Sequence, residues 1–563
     1  MKQRHPYRVR NVFVRANPLR LLRGDHYPQT LRELFEASTE RYSRRKFSLF
    51  TDGSQAYSYG SFRDTCDLQS QRLSRFGISA GDRVAILSQN MPNWCVAFFA
   101  VTAFGRIAVP MLTELSENEI TNILTHSESR ALFVSRRLLP KVPRAILDGM
   151  RIVIATDDLE IIQSGENAYT CDGTISSPLA DDVACLIYTS GTTGAAKGVM
   201  LTHKNFCVNI RASWDAHHVR RRDVFLSILP LAHTYEMSIG MLYPFAVGAK
   251  VNYLMRPPTP SILVPNLKKI RPTCMLSVPL VIEKIYHASI VPTVRDSSFL
   301  SRLQKFSPTL LARLVGLRLK KTFGGRLQFF GVGGAKMDSV VEAFLGKAKF
   351  PYAIGYGLTE TAPLIGYARV GQTCTGSWGK PAYGVQVRLD NVNPQTGEGE
   401  VVAKGDCVMK GYYKDYKRTC GVIEPDGWFH TGDIAVCDKR GRYFIKGRLG
   451  SVILGASGEN IYPEEIEAVI DNMQDINESI VVERDGHLVA LVHFNDNVLN
   501  WNYENKDRFL EDLERRKQEI LDFVNSHVNR SSRIKEVEIE KQPFAKTATL
   551  KIKRFLYKDK KPE

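Results

Sequence analysis

The sequence predicts an α/β protein, with a large N-terminal lobe of layered sheets and helices followed by a small α+β C-terminal lobe. Three observations predict it. A chain of 563 residues is too long for one hydrophobic core and implies several packed subregions. From about Tyr27 to Lys446, short β-branched runs alternate with helical patterns, as expected for strands interleaved with helices in largely parallel sheets. After GRLG (447–450) this alternation stops, and a compact set of two helices and three strands follows. The expected divisions are a basic tail at 1–27, a large lobe at 28–448 and a small lobe at 449–563, joined by a hinge of a few residues.

The tail carries Lys2, Arg4, Arg8, Arg10, Arg15, Arg20 and Arg23 before the first acid, Asp25. Arg15 and Arg20 interrupt its apolar residues, so it does not read as a secretory signal. A solvated tail and a membrane-surface anchor both fit it. RVAIL (83–87), RALFV (130–134), RIVIAT (151–156) and RLQFFGV (326–332) read as strands. The most apolar stretch, WCVAFFAVTAFGRIAVPML (94–112), is broken by Arg106 and Pro110 and is short for a bilayer span, so it reads as a buried helix followed by a strand. FSPTLLARLVGLRLKK (306–321) is basic and apolar-flanked; it fits either a membrane-facing surface or a helix packed inside. In the small lobe, YPEEIEAVIDNM opens a helix with Pro463 in its first turn and Ile466, Val469 and Ile470 on one face. Strands ESIVVER and HLVALVHF, the helix NKDRFLEDLERRKQEILDFVNSHV and the strand KEVEIEK complete it.

With 44% hydrophobic and 24% charged residues the composition excludes extended disorder. The 76 basic and 59 acidic residues leave a net charge of +17, which favours anionic ligands or surfaces. Nucleic acid is not the expected partner, because no nucleic-acid-binding signature is present. Ten cysteines without a C-x-x-C pair argue against a disulfide framework and a zinc site, and for a reducing, cytoplasmic setting.

YTSGTTGAAKG (188–198) is the stretch richest in chemistry. A P-loop reading from Gly191 puts Lys197 in place but fails at Ala196 and Gly198, and the loop leads to another extended run (198–201) where a P-loop opens a helix. It still suits phosphate. Glycines let backbone NH groups converge, Thr189, Ser190, Thr192 and Thr193 add hydroxyls, and Lys197 adds a point charge. Taken alone, such a stretch is also an ordinary turn.

Its company decides. YTSGTTGAAKGV is followed, in order, by LPLAHTYE (229–236), GVGGAK (331–336), YGLTET (356–361), GWFHTGD (427–433), GRLGSVILGASGENIYPEEIE (447–467) and KTATLKIKR (546–554). Together they resemble the acyl-adenylate-forming (AMP-binding) superfamily across nearly the whole chain. The resemblance implies the adenylate-forming enzyme fold with a mobile small lobe. Its implied substrates are ATP and coenzyme A, with Mg2+ as the metal.

By that resemblance, Lys551 bridges the substrate carboxylate and the α-phosphate, Glu360 ligates magnesium, and Thr359 hydrogen-bonds the α-phosphate. Residues Thr189, Ser190, Gly191, Thr192, Thr193, Gly194 and Lys197 hold the outer phosphates. Tyr356, followed by Gly357, stacks on adenine with Gly334 and Ala335 on its other face. Asp433 accepts the ribose hydroxyls, Arg448 touches ribose or phosphate, and His233 gates the carboxylate. Gly455, Gly458, Glu459 and Asn460 line the coenzyme A path, and Gly450 is the hinge. Each has a plainer reading: a solvated lysine for Lys551, a helix start for Thr359 and Glu360, a core ring for Tyr356, a surface ion pair for Asp433 and Arg448, a structural imidazole for His233.

Departures from the family pattern are Ala196 for proline, Gly450 for Asp or Lys, and Leu550 for glycine. The last, with LPLAHTYE, resembles the long-chain fatty acyl-CoA synthetases and implies a long-chain fatty acid substrate. An acyl-AMP ligase serving a carrier protein and a non-catalytic nucleotide- or acyl-binding paralogue are the competing readings. The first usually carries an insertion not evident here, and no carrier domain follows Lys551. Peripheral membrane association through the basic segments and a homodimer complete the expectations.

Overall fold

The computed structural model describes residues 27–164, 175–190, 196–454, 460–473, 475–484, 486–495, 506–547 and 552–558. The chain divides into two compact units: one built from residues up to Thr189 with Ala196–Gln386 and Ala403–Phe429, the other including Val387–Val402 and the residues from His430 onward.

The first unit is an α/β body with two sheets. One runs Ser377–Pro381, Leu364–Ala368, Tyr352–Gly357, Phe329–Val332, Cys274–Ser277, Val224–Ser227, Lys250–Tyr253, Lys46–Phe50 and Tyr57–Ser58. Its central strands are parallel, as the Val332↔Ile354 and Cys274↔Phe329 registers show. Their C-terminal ends therefore emerge along one edge, where parallel sheets place ligand sites. The other sheet runs Gly411–Tyr412, Ala196–Thr202, Val183–Ser190, Ile107–Met111, Arg83–Leu87, Ala131–Val134, Ile152–Ala155 and Ile161–Ser164.

The apolar stretch at 94–112 forms the buried helix Pro92–Thr102 and the strand Ile107–Met111. Arg106, which breaks its hydropathy, is fully buried: Nη1 donates to Ser70 Oγ at 2.9 Å and Nε to the Ile78 carbonyl at 3.0 Å. Burial pushes its guanidinium down to about 10. Phe99 of that helix packs against Phe35, Phe62 and Phe245, which with Phe47 form an aromatic core. Among the described residues, no helix is long and apolar enough to cross a membrane.

In the second unit the strands Gln386–Asp390, Gly399–Lys404, Phe429–Cys437 and Tyr443–Arg448 lie in that order. Its C-terminal part is α+β. Ile476–Arg484 and His487–Phe494 pair antiparallel, and Glu536–Ile539 joins the latter in parallel. The helices Pro463–Ile470 and Lys506–His527 bury Ile466, Ile470, Ile520 and Val524 in one cluster with Val481 and Leu488.

Candidate active site

In the first unit, the motif-bearing loops collect at the C-terminal ends of the parallel strands. Phe329–Val332 leads into Gly333 and Gly334, and the neighbouring Tyr352–Gly357 carries Tyr356 near its end. Gly334 has φ +88°, a left-handed conformation suited to glycine, while Gly334 and Ala335 are exposed. Trp378 backs the half-buried Tyr356 ring, with centroids 4.9 Å apart and planes 26° from parallel. Gly357 admits no side chain, since a Cβ there would lie 1.7 Å from the Pro363 carbonyl oxygen.

The chain then makes a 3-10 turn, Thr359–Thr361, rather than a longer helix. Its anchors were not foreseen from the sequence. Asn209 Oδ1 accepts from Leu364 N at 2.8 Å, and its Nδ2 donates to the Thr361 carbonyl at 3.0 Å. Ser238 Oγ donates to the Ala362 carbonyl at 2.9 Å. One turn earlier on the same helix, Asn205 Nδ2 reaches the Asp406 and Val408 carbonyls at 2.8 and 2.9 Å. The only sequence signal was two asparagines spaced i, i+4 on a helix, where asparagine is a poor former unless its amide is used.

Tyr412 joins the signature loop to this turn. Its hydroxyl donates to Glu360 Oε1 at 3.0 Å, and the Lys197 ammonium lies 5.1 Å from its ring centroid. Burial, then the Glu360 charge, pushes its phenol well up, so it remains a donor. Gly198 fits between Tyr188 and Tyr413, where a Cβ would approach their atoms to 3.2 and 3.3 Å. Tyr188 in turn meets His126 Nδ1 at 2.7 Å.

His233 is half-buried in the turn after Val224–Ser227, ahead of the π-helix Glu236–Leu242. Next to it, Tyr235 lies over Gly331 and Gly333. Glu236 is buried, and burial pushes its carboxyl up to about 8 despite a hydrogen bond with Ser227. Its Oε2 has no hydrogen-bond partner among the described residues.

In the second unit, Asp433 and Arg448 face each other in register on adjacent strands, with Arg448 Nε 2.8 Å from Asp433 Oδ1. Asp433 is buried while Arg448 is exposed. Gly450 lies in the 3-10 turn Leu449–Ser451, and a Cβ there would meet nothing within 4 Å. Asn460 is exposed at the start of the short strand Asn460–Ile461. Gly191, Thr192, Thr193, Gly194, Gly455, Gly458, Glu459 and Lys551 lie outside the described residues, as does the basic tail. On either side of Lys551 the chain is tethered. Lys546 and Ile552 form an antiparallel bridge, and Arg554 grips the buried Glu467 carboxylate, with Nη1 2.5 Å from Oε1. Burial raises the Glu467 carboxyl, and Arg554 opposes that shift.

The family model described as AMP-binding enzyme matches residues 35–413. An Arabidopsis thaliana protein named long chain acyl-CoA synthetase 6, peroxisomal, is 30% identical over 76% of this chain and 67% of its own length. Its compatriot named long chain acyl-CoA synthetase 7, peroxisomal, is 28% identical over 97% of this chain and 87% of its own. Among solved structures, the Bacillus subtilis o-succinylbenzoate coenzyme A synthetase in complex with AMP superposes with a TM-score of 0.75 at 21% identity, covering 94% of this chain and 98% of that one. That likeness is one of fold.

Proposed function

The chain belongs to the AMP-binding enzyme family, and from that premise we propose that it is a long-chain fatty acid–CoA ligase. It activates the acid with ATP to acyl-AMP, releasing pyrophosphate, and transfers the acyl group to coenzyme A. The observation that carries this reading is the likeness, over most of the chain, to proteins named long chain acyl-CoA synthetases.

Adenylation must bring a carboxylate against a phosphate, so the site has to supply positive charge and alignment. Lys551 neutralises both anions as they meet. Lys197 and the 189–194 hydroxyls and amides hold the β- and γ-phosphates, and Thr359 hydrogen-bonds the α-phosphate. Tyr356 stacks on adenine, with Gly334 and Ala335 against its other face. Asp433 accepts from the ribose hydroxyls beside Arg448, and His233 lies by the fatty acid carboxylate.

Glu360 suits Mg2+, because it offers hard oxygens: Oε1 takes the Tyr412 hydroxyl, and Oε2 makes no hydrogen bond among the described residues. When bound, the ion neutralises phosphate charge. For thioester formation the small lobe turns about Gly450, withdrawing Lys551 and bringing residues 455–460 to the pantetheine path. Support for rotation at Gly450 is its uncrowded surroundings. The reaction takes place in the cytoplasm, and the basic segments bring the enzyme to a membrane face.

The test is pyrophosphate release with palmitate, with and without coenzyme A. Release in both cases, with acyl-CoA formed only when coenzyme A is present, is expected. No release with any fatty acid overturns the ligase; release without thioester points to a carrier-dependent enzyme.

A further inference from the structure

The helical segment between the strands Cys274–Ser277 and Phe329–Val332 has two apolar sides, and only one is covered. In the helix Pro308–Thr322, Leu311, Ala312, Gly316 and Leu319 face inward. The contact is close, since a Cβ on Gly316 would lie 2.7 Å from Ala348 Cβ. Leu311 and Leu319 join the core that holds Val341, Leu345 and Phe350. The opposite side, at spacing i, i+4, i+7, presents Leu310, Leu314 and Leu317, of which Leu317 is 64% exposed. The preceding helix, Ser298–Phe306, adds Phe299 at 68% and Phe306 at 87% exposure. Large apolar side chains left this open mark an interaction surface.

The charges on this side select the partner. Arg313, Arg318 and Lys321 share the outer face of the second helix with the leucines, and Arg302 and Lys305 accompany the phenylalanines. None of these five makes an ion pair with a described residue. From Asp296 to Asp338 the chain has no intervening acid. Unpaired cations interspersed among protruding Leu and Phe match a headgroup layer over acyl chains: the apolar tips enter the boundary while the arginines and lysines meet lipid phosphates.

The geometry points to the outer face of the helices Ser298–Phe306 and Pro308–Thr322 as a docking surface for an anionic bilayer. There the enzyme would collect an acid that partitions into lipid. The surface is fixed to the folded body by the inner face of Pro308–Thr322, so docking needs no refolding. This inference rests on the fatty acid ligase reading only for its purpose.

The experiment uses the full chain with phosphatidylcholine vesicles, with and without ~30% phosphatidylserine, read by co-sedimentation. Two variants accompany the wild type: Phe299→Ser/Phe306→Ser/Leu317→Ser and Arg313→Gln/Arg318→Gln/Lys321→Gln. All six side chains are exposed, so both variants should fold, as checked by circular dichroism. Wild type should bind the serine-containing vesicles in a salt-sensitive way, and each variant should bind about tenfold less. Ligase turnover with fatty acid presented in solution should stay unchanged. Undiminished binding by both variants would assign the membrane contact elsewhere, such as the basic N-terminal segment, and overturn the proposal. So would absence of wild-type binding, or self-association in sedimentation velocity that the serine variant abolishes. Vesicle binding by a chain that releases no pyrophosphate would sink the ligase reading while leaving this surface standing.

Discussion

The Tyr412 hydroxyl donates to Glu360 Oε1 while its ring lies beside the Lys197 ammonium, so one side chain touches groups from two distant motifs. A hydrogen bond to a charged group contributes ~1.5–3 kcal/mol. Tyr412→Phe keeps the ring beside Lys197 and deletes only the donor, making it a test of positioning. Adenylation should slow by roughly 10- to 100-fold, with more Mg2+ needed for half-maximal pyrophosphate release. An unchanged magnesium titration would show that the hydroxyl plays no part in holding Glu360. Glu360 and Tyr356 are candidates from the sequence alone because YGLTET places them in a recognisable string. Tyr412 is not, because an aromatic pair after a glycine gains its role only when Gly411–Tyr412 pairs with Ala196–Thr202.

The π-helix Glu236–Leu242 shows how an element can store a titration. Its Glu236 side chain folds back onto Gly240, where a Cβ would lie 2.5 Å from Oε1. Burial holds the carboxyl near 8 instead of the ordinary 4.5, so the folded chain keeps a proton that the unfolded chain releases above the lower value. Stability from this group is therefore full below about 4.5 and is lost as pH rises through about 8. Buried His203 has the opposite slope, its imidazole being pushed down from 6.5 to about 4. Above about 6.5 both states leave it neutral, so Glu236 is the steeper of the two between about 6.5 and 8. The unfolding free energy of wild type, measured by urea titration, should fall over that window by up to ~1.4 kcal/mol per pH unit relative to Glu236→Gln. Parallel profiles for the two proteins would refute a protonated Glu236. The element boundaries themselves were largely readable, as at Pro463–Ile470, where Pro463 and the spacing of Ile466 and Ile470 announce a helix. The π-helical geometry was not, since nothing local in HTYEMSIGML separates it from an α-helix.

For the whole molecule, the proposed withdrawal of Lys551 between the two half-reactions makes a prediction of its own. Lys551→Ala should lower adenylation about 100-fold or more yet spare thioester formation from supplied acyl-AMP. Equal loss in both half-reactions would contradict the exchange. The tethers beside Lys551, the Lys546 bridge to Ile552 and the Arg554 grip on Glu467, belong to the small lobe's own packing.

Periodicity and motif order were enough to determine the α/β class, the small α+β end and the adenylate-forming family, because strand alternation, capping and short glycine-rich strings are local properties of the chain. The tertiary structure alone decided that Asn209 and Tyr412 hold the Thr359–Thr361 turn and its Glu360, and that the helix Pro308–Thr322 buries one apolar side and exposes the other. Those outcomes depend on which surfaces meet across long stretches of chain, and a helix with leucines on both sides carries no mark of which side will find a partner.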